Sequence, residues 1–223
     1  MEFINLVLVG PILEMFEYPA FFLEVVFGGL MSGVMYSLVA LGFVLIFKAS
    51  GVFNFAQGVF ALFAALTLVG LMTGTMPFSL DKVLPELPAW LAIIATFIVM
   101  VGLAIAVERI VLRPLVNQDH IIMFMSTIGL AFVLEGLGDT IWGSEVKALD
   151  VGIPSGNFMI GEIQIQIFDL WAAGIAAFLV IVLAVFFQST RTGRALRAVA
   201  DDHQAALSVG IPLKNIWIIV WSV

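Results

Sequence analysis

The sequence predicts an all-α fold, a bundle of membrane-spanning helices with one small external β-hairpin. Of its 223 residues, 62% are hydrophobic and only 11% are charged, and the mean hydropathy is +1.17. A soluble domain is closer to half apolar and one quarter charged. The apolar residues gather in runs near the length of about 20 residues that a helix needs to cross a bilayer. The composition therefore indicates a polytopic membrane protein, surrounded by lipid and without a nucleic-acid partner.

A short N-terminal helix and five spans are predicted. Pro11 interrupts the first apolar run and no basic residue precedes it, which favours an interfacial or re-entrant helix over a signal peptide. The spans lie at residues 22–47, 57–73, 88–107, 121–142 and 170–187. A sixth opens at Ile216, but the eight residues to Val223 make only about 12 Å of helix, against about 30 Å of hydrocarbon. We therefore expect the single transmembrane domain, residues 1–223, to be cut within its sixth span.

The basic residues predict the orientation of these spans. If the first span runs from outside to inside, seven Lys and Arg residues face the cytoplasm and two face outward. The seven are Lys48, Arg109, Arg113, Arg191, Arg194, Arg197 and Lys214, and the two are Lys82 and Lys147. Because cytoplasmic loops carry the excess of basic residues, the N-terminus is predicted to be external.

The loop over residues 143–169, external in this orientation, contains the predicted hairpin. Isoleucine alternates with glutamine over residues 163–167, which is the period of a β-strand. Gly161 and Glu162, just before this strand, suit a two-residue turn with glycine in first place. The preceding residues, which include Phe158, would then form the other strand.

Small residues recur at every fourth position of the first span, at Gly29, Gly33 and Ser37. Residues four apart lie on one face of a helix, and small side chains there let another helix approach closely. The pattern predicts a helix-packing face, either inside this bundle or between subunits. It does not identify a substrate.

The segment "KASGVFNFAQG", residues 48–58, joins the first two spans with almost no hydrophilic loop. It holds two amide side chains, Asn54 and Gln57, between Gly51 and Gly58. Backbone that is not helical at membrane depth is tolerated only inside protein or beside a cavity, and broken helices often line transport pathways. Asn54 and Gln57 therefore either line a substrate pathway or cap helix ends in a tight turn.

Three acidic residues lie within the predicted spans: Glu24, Glu135 and Asp139. Ionisable groups inside a membrane are functional candidates, so Glu135 joins the candidate pathway. In the other interpretation, these carboxylates are solvated or paired at the outer interface. The sequence has two histidines and no cysteine, which excludes a thiolate nucleophile and indicates that no metal is bound.

The charged stretch within the loop of residues 191–214 predicts an amphipathic helix on the cytoplasmic side, from Arg194 to Val209. We expect Gly193 to precede this helix and the sequence Gly-Ile-Pro to end it. One face is apolar, with Leu196, Val199, His203, Ala206 and Leu207, and the other is polar, with Arg194, Arg197, Asp201, Gln204 and Ser208. Arg197 and Asp201 are one turn apart, so we expect them to interact. Acidic residues in its middle favour docking to a protein over resting on lipid headgroups.

Three stretches resemble one family. "QAALSVG", residues 204–210, resembles the Glu-Ala-Ala-x-x-x-Gly loop of bacterial ABC importer permeases, with Gln204 in place of Glu, and "GRALRAVADDHQAALSVGI" is similar to its form in branched-chain amino acid permeases. "GVFNFAQGVF" resembles the "INFAHG" segment of that family, with Gln57 where His is usual. "ERIVLRPL", residues 108–115, fits the loop after its third span.

The resemblance implies an importer in the bacterial inner membrane with four core subunits, two permeases and two cytosolic ATPases, to which an external binding protein delivers a small polar solute. In that family the loop helix sits in a groove of the ATPase. The residues expected to couple to the ATPase are Arg194, Arg197, Asp201, Gln204, Ala205, Ala206 and Gly210. Because no G-x-x-x-x-G-K-[ST] run occurs in the sequence, ATP is expected to bind the partner subunits, and this chain is expected to need no cofactor and to catalyse no reaction.

The sequence therefore predicts a permease subunit of an ATP-driven importer for branched-chain or related amino acids. Urea or a short amide, carried by related permeases, is an alternative substrate. A proton-coupled secondary transporter that uses Glu135 or Asp139 is a second alternative, and dependence of uptake on ATP distinguishes it. An intramembrane enzyme is disfavoured, since no Ser/His, His/Asp or paired-acid arrangement lies at a suitable depth.

Overall fold

The computed structural model describes residues 10–75, 85–115, 118–154, 156–201, 206 and 213–222. Within these residues, eight helices run in chain order: α1 Gly10–Glu17, α2 Pro19–Ser50, α3 Gln57–Thr73, α4 Ala89–Val107, α5 His120–Trp142, α6 Ile167–Ser189, α7 Arg191–Asp201 and α8 Leu213–Ser222. Between α5 and α6 lie the strands β1 Asn157–Ile160 and β2 Ile163–Gln166. A π-helical turn, Glu108–Leu112, and a 3₁₀ turn, Arg113–Leu115, extend α4.

The described helices confirm the predicted fold class. In the described part of the chain, four helical stretches are long and apolar enough to cross a membrane: Pro19–Ser50, Ala89–Leu115, Ile121–Trp142 and Ile167–Ser189. The second predicted span is the shorter apolar helix α3, whose bounds agree with the prediction. Helix α8, which opens the predicted sixth span, begins at Leu213, three residues earlier than expected.

The chain forms two compact units. The first comprises residues 1–41 and 153–184, and the second comprises residues 42–152 and 185–223. The first unit holds α1, most of α2, the hairpin and most of α6. The second holds α3, α4, α5, α7 and α8, together with the junctions that the sequence analysis singled out.

The hairpin of the first unit forms as predicted. Strands β1 and β2 pair antiparallel, and Ile160 lies opposite Ile163 on either side of the turn at Gly161 and Glu162. Gly161 has a φ of +65°, a conformation that favours glycine, and this explains why glycine comes first in the turn. The base of the hairpin continues directly into α6, where the Ile167 N–H donates to the Gly156 carbonyl at 3.0 Å.

In the second unit, α3 packs against both α4 and α5, and α8 packs against α4, the π-helical turn and α7. Helix α4 begins immediately after Pro88. Proline has no backbone N–H, but an N–H at the start of a helix has no partner within the helix, so no helical hydrogen bond is lost. Rings of Phe63 on α3 and Trp142 on α5 meet edge to face, 4.9 Å between centroids. These contacts place the end of α4, helix α8 and helix α7 in one connected region.

Candidate functional site

Helix α7 has the two faces that its sequence predicts. Leu196 and Val199 are buried, and so is Ala206, which lies beyond α7 but is itself helical. Arg194, Arg197 and Asp201 are exposed on the other side. Three further residues of the predicted coupling set, Gln204, Ala205 and Gly210, lie outside the described residues. The role of the whole set in coupling stays a prediction.

The start of α7 differs from the prediction, because Gly193 lies inside the helix rather than before it. Thr190 caps the helix: its hydroxyl accepts a hydrogen bond from the Gly193 N–H at 3.1 Å and donates to the Phe186 carbonyl at 2.7 Å. The helix therefore begins at Arg191, and only the capping residue Thr190 separates it from the end of α6 at Ser189. A Cβ on Gly193 would overlap the backbone of Phe187, so the corner between α6 and α7 needs glycine at this position.

The two arginines of α7 bind the end of α6. Arg194 donates from Nη1 to the Ser189 carbonyl at 3.2 Å, and Arg197 donates from Nη2 to the Gln188 carbonyl at 3.3 Å. The last carbonyls of a helix have no partner within the helix and attract positive charge. The expected ion pair of Arg197 with Asp201 is wrong: in this part of the described chain the guanidinium turns back to α6 instead.

The junction between α2 and α3 is not helical from Gly51 to Asn54, as the sequence predicts. Asn54 is buried, and its Oδ1 accepts a hydrogen bond from the Ala56 N–H at 3.1 Å, just before α3 begins. Gln57 is half-buried at the first position of α3, and its amide lies beside Gly42, where a Cβ of that residue would stand. Asn54 thus closes a turn just before α3, but the helix itself has no side-chain cap bond at its start. A place for either amide on a substrate pathway stays a prediction.

Thr127, which sequence reasoning did not single out, holds this junction against α5. Its side chain is fully buried, and its hydroxyl oxygen accepts from the Phe55 N–H at 3.3 Å. The same oxygen lies 3.2 Å from the Phe53 carbonyl and 2.8 Å from the Phe124 carbonyl, to either of which it can donate. Non-helical backbone needs such partners at membrane depth. The signal available in the sequence was a threonine in an apolar helix.

Glu108, also missed as a functional residue, is the most deeply buried charged side chain among the described residues, with 2% of it exposed. It accepts from Arg113 through both oxygens: Nε to Oε1 at 3.2 Å, Nη2 to Oε1 at 3.1 Å and Nη2 to Oε2 at 2.9 Å. Glu135 and Asp139, in contrast, are exposed on α5. The available signal was a glutamate at the end of an apolar run with an arginine five residues later.

The small-residue face of α2 lies in the first unit. Ser37 donates to the Val34 carbonyl at 2.6 Å. Apart from the adjacent backbone of the same helix, no heavy atom of the first unit lies within 4 Å of where a Cβ would stand on Gly29 or Gly33. The described residues of the first unit therefore place no neighbour against these two glycines. Their role in helix packing stays a prediction.

The chain is similar to known transport proteins over most of its length. Residues 25–223 match the family described as "Branched-chain amino acid transport system / permease component". The high-affinity branched-chain amino acid transport system permease protein LivH of Escherichia coli K12 is 30% identical over 220 residues, 88% of this chain and 65% of LivH. The corresponding BraD of Pseudomonas aeruginosa is 31% identical over 212 residues, 87% of this chain and 64% of BraD.

A probable LivH of Methanocaldococcus jannaschii is 27% identical over 202 residues, 87% of this chain and 60% of that protein. The chain thus spans about 65% of the length of the first of these relatives. No solved structure matches the chain. Because the family match covers nearly all of the chain and four of its helices are suited to cross a membrane, the chain belongs to the membrane-embedded permease components of branched-chain amino acid transport systems.

Proposed function

We propose that the chain is the membrane-spanning permease subunit of an ATP-driven importer for branched-chain or related amino acids. The observation that carries the proposal is α7, a two-faced helix fixed to the end of an apolar helix by a capped corner. Its buried face, with Leu196 and Val199, packs into the permease, and its charged face is exposed. The names of LivH and BraD, which are transport permeases for branched-chain amino acids, support the substrate class.

In this proposal, two cytosolic ATPases bind ATP and a second permease completes the pathway. An external binding protein delivers the solute, and this chain itself performs no catalysis. The charged face of α7 docks on an ATPase through the coupling residues predicted from the sequence. Because Arg194 and Arg197 tie α7 to the end of α6, a movement of α7 would be passed directly to that helix. ATP binding would thus rock the spans between outward-facing and inward-facing states.

The protein would lie in the bacterial inner membrane with its N-terminus outside. The seven-to-two distribution of basic residues supports this orientation. It would place α7 and the junction at Asn54 on the cytoplasmic side and the hairpin on the external side. An ATPase in the cytosol could then reach α7.

The first test is solute uptake by the full-length permease reconstituted with its partner subunits and binding protein. We expect uptake of leucine and valine that requires hydrolysable ATP and persists when a protonophore collapses the proton gradient. A preference for urea or acetamide would contradict the proposed substrate class. Uptake that follows the proton gradient without ATP would contradict the importer itself, and loss of that uptake in Glu135→Gln would identify a secondary transporter.

The second test addresses docking to the ATPase. We expect Asp201→Lys to reduce copurification of the ATPase severalfold, because it reverses a charge on the exposed face of α7. Ala205→Trp, which places a large side chain on the predicted contact, is expected to weaken assembly about tenfold or more, through an overpacking penalty of about 1–3 kcal/mol. Glu162→Lys, the same charge reversal at the tip of the hairpin, is the control and should change nothing. Unchanged copurification with both Asp201→Lys and Ala205→Trp would refute the coupling role.

A further inference from the structure

The buried ion pair at the end of α4 plays no part in the proposed docking, yet it is costly to maintain. Taking a carboxylate out of water is unfavourable unless it is paired and its oxygens are hydrogen-bonded. Glu108 meets both conditions through Arg113, whose side chain is 34% exposed and reaches both carboxylate oxygens. An ion pair with this geometry constrains the relative positions of its two residues, which a simple apolar contact would not do.

The spacing of the two residues fits only a wider helical turn. In an α-helix, residues five apart are separated by about 500° of rotation, so they lie about 140° apart around the axis. A π-helical turn, with its hydrogen bond from residue i+5 to residue i, brings these positions onto the same side. Here the Arg113 N–H donates to the Glu108 carbonyl, so backbone and side chains join the same two residues. The ion pair and the π-helical turn therefore depend on each other.

This turn lies where several functional elements meet. It contacts α5 and α8, and α8 also contacts α4 and α7. Just beyond the turn, Leu115 packs against Val52 in the junction between α2 and α3 and against Met123 on α5. The residues that follow Glu108 thus connect the non-helical junction, helix α8 and, through α8, the two-faced helix α7.

A π-helical turn contains one residue more than an α-helical turn. If it relaxed to an α-helix, the residues after it would rotate by about 100° and shift by about 1.5 Å. Leu115 would then leave its position against Val52, and the surface that contacts α8 would change. The ion pair opposes this relaxation, because an α-helical end would separate the two charges and leave Glu108 buried without a partner.

We propose that Glu108 and Arg113 form a latch that fixes the π-helical turn and so sets the position of α8 relative to α7. They are positioning residues, not substrate contacts. The part of the latch that concerns transport rests on the proposed function, since it assigns α7 to coupling. The part that concerns the π-helical turn does not.

The test uses the full-length permease in its complex and single cysteines, since the sequence contains none. Leu115→Cys reports the position of Leu115, which lies beyond the π-helical turn. Gln118→Cys, at an exposed position between the 3₁₀ turn and α5, is the control. In Glu108→Gln we expect maleimide labelling of Leu115→Cys to be about tenfold faster than in the otherwise unmodified protein, with labelling of Gln118→Cys unchanged. Arg109→Gln, a change at the exposed neighbouring arginine, should leave both rates as they are.

The same variant is then assayed for solute transported per ATP hydrolysed. We expect this ratio to fall severalfold in Glu108→Gln while ATP hydrolysis continues, and the reversed pair Glu108→Arg/Arg113→Glu to recover part of it. If Glu108→Gln does not accumulate, Arg113→Lys, which keeps the charge but loses the two-pronged contact, replaces it with the same expected direction.

Unchanged labelling of Leu115→Cys would refute the latch, and altered labelling with an unchanged transport ratio would refute its effect on α7. If the unmodified complex does not transport with ATP, the proposed function fails. The labelling result still decides whether the pair holds the turn.

Discussion

Thr127 shows how a single hydroxyl supports an irregular junction inside an apolar protein. Replacing it by valine keeps the shape of the side chain and removes the hydroxyl, so the Phe55 N–H loses its acceptor. Leaving a buried backbone donor without a partner costs about 1–3 kcal/mol. We therefore expect Thr127→Val to lower the free energy of unfolding by about that amount, measured by thermal and denaturant unfolding of the purified full-length protein.

Thr140 offers a matched control for this prediction on the same helix. Its hydroxyl donates to the Gly136 carbonyl at 2.7 Å, but the residue is exposed and the bond lies within α5. Thr140→Val should change stability by no more than about 0.5 kcal/mol. Equal effects of the two substitutions would contradict a special role for Thr127.

Gly193 is the residue at which the corner between α6 and α7 is tightest. Its Cβ would overlap backbone atoms of Phe187, which cannot move away without shifting the end of α6. We expect Gly193→Ala to destabilise the protein by about 1–3 kcal/mol or more. The comparison is Gly102→Ala within α4, where a Cβ would meet no atom within 4 Å other than the adjacent backbone of its own helix, and the change should stabilise by about 0.5–1 kcal/mol. Melting temperatures that shift in the same direction for both variants would disprove the close contact.

At the residue scale, the sequence predicts which side chains are buried better than it predicts their hydrogen-bond and ion-pair partners. The buried positions of Leu196 and Val199 follow from helical periodicity, which is a local property. The bond of Arg197 to Gln188 could not be anticipated, because it depends on how α7 folds back on α6. Glu108 and Arg113 were missed for a related reason: their spacing separates them on an α-helix, and only the π-helical turn brings them together.

At the scale of elements, the apolar runs predict the spans well and their ends less well. Helix α3 matches its predicted bounds, since Gly74 ends the apolar run with a left-handed backbone. Helix α4 also ends at Val107 as predicted, and the π-helical and 3₁₀ turns follow it to Leu115. Helix α2, in contrast, runs three residues beyond its predicted span of residues 22–47 at each end. The hairpin was predictable because alternation and a glycine turn are both short-range signals.

Helix α7 is an element whose stability comes from its buried face. Leu196→Ala removes a buried side chain and should cost about 2–5 kcal/mol, which would raise hydrogen exchange of the α7 amides about 30-fold or more. Arg197→Ala, on the exposed face, removes one hydrogen bond at the surface and should raise exchange only severalfold. Comparable exchange in the two variants would mean that α7 is not held by its apolar face.

At the scale of the whole molecule, the distribution of charge carries the proposed orientation. Basic residues cluster at Lys48, at Arg109 and Arg113, and from Arg191 to Arg197, all near helix ends that would face one side. The hairpin and the residues before it carry Glu145, Asp150 and Glu162 and would face the other side. Basic residues next to spans are retained in the cytoplasm during insertion, whereas acidic residues have little influence on orientation. The proposed orientation therefore rests on the Lys and Arg residues.

The orientation predicts which side of the membrane two exposed glutamines occupy. Gln164 lies in β2 of the hairpin and Gln118 lies between the 3₁₀ turn and α5, so each can be replaced by cysteine without removing a buried contact. In intact cells we expect a membrane-impermeant maleimide to label Gln164→Cys fully and Gln118→Cys not at all. Gln118→Cys should be labelled once the membrane is permeabilised, which shows that the thiol itself is reactive. The opposite labelling pattern would mean that the protein has the reverse orientation. Helix α7 would then lie outside the cell, where a cytosolic ATPase could not bind it.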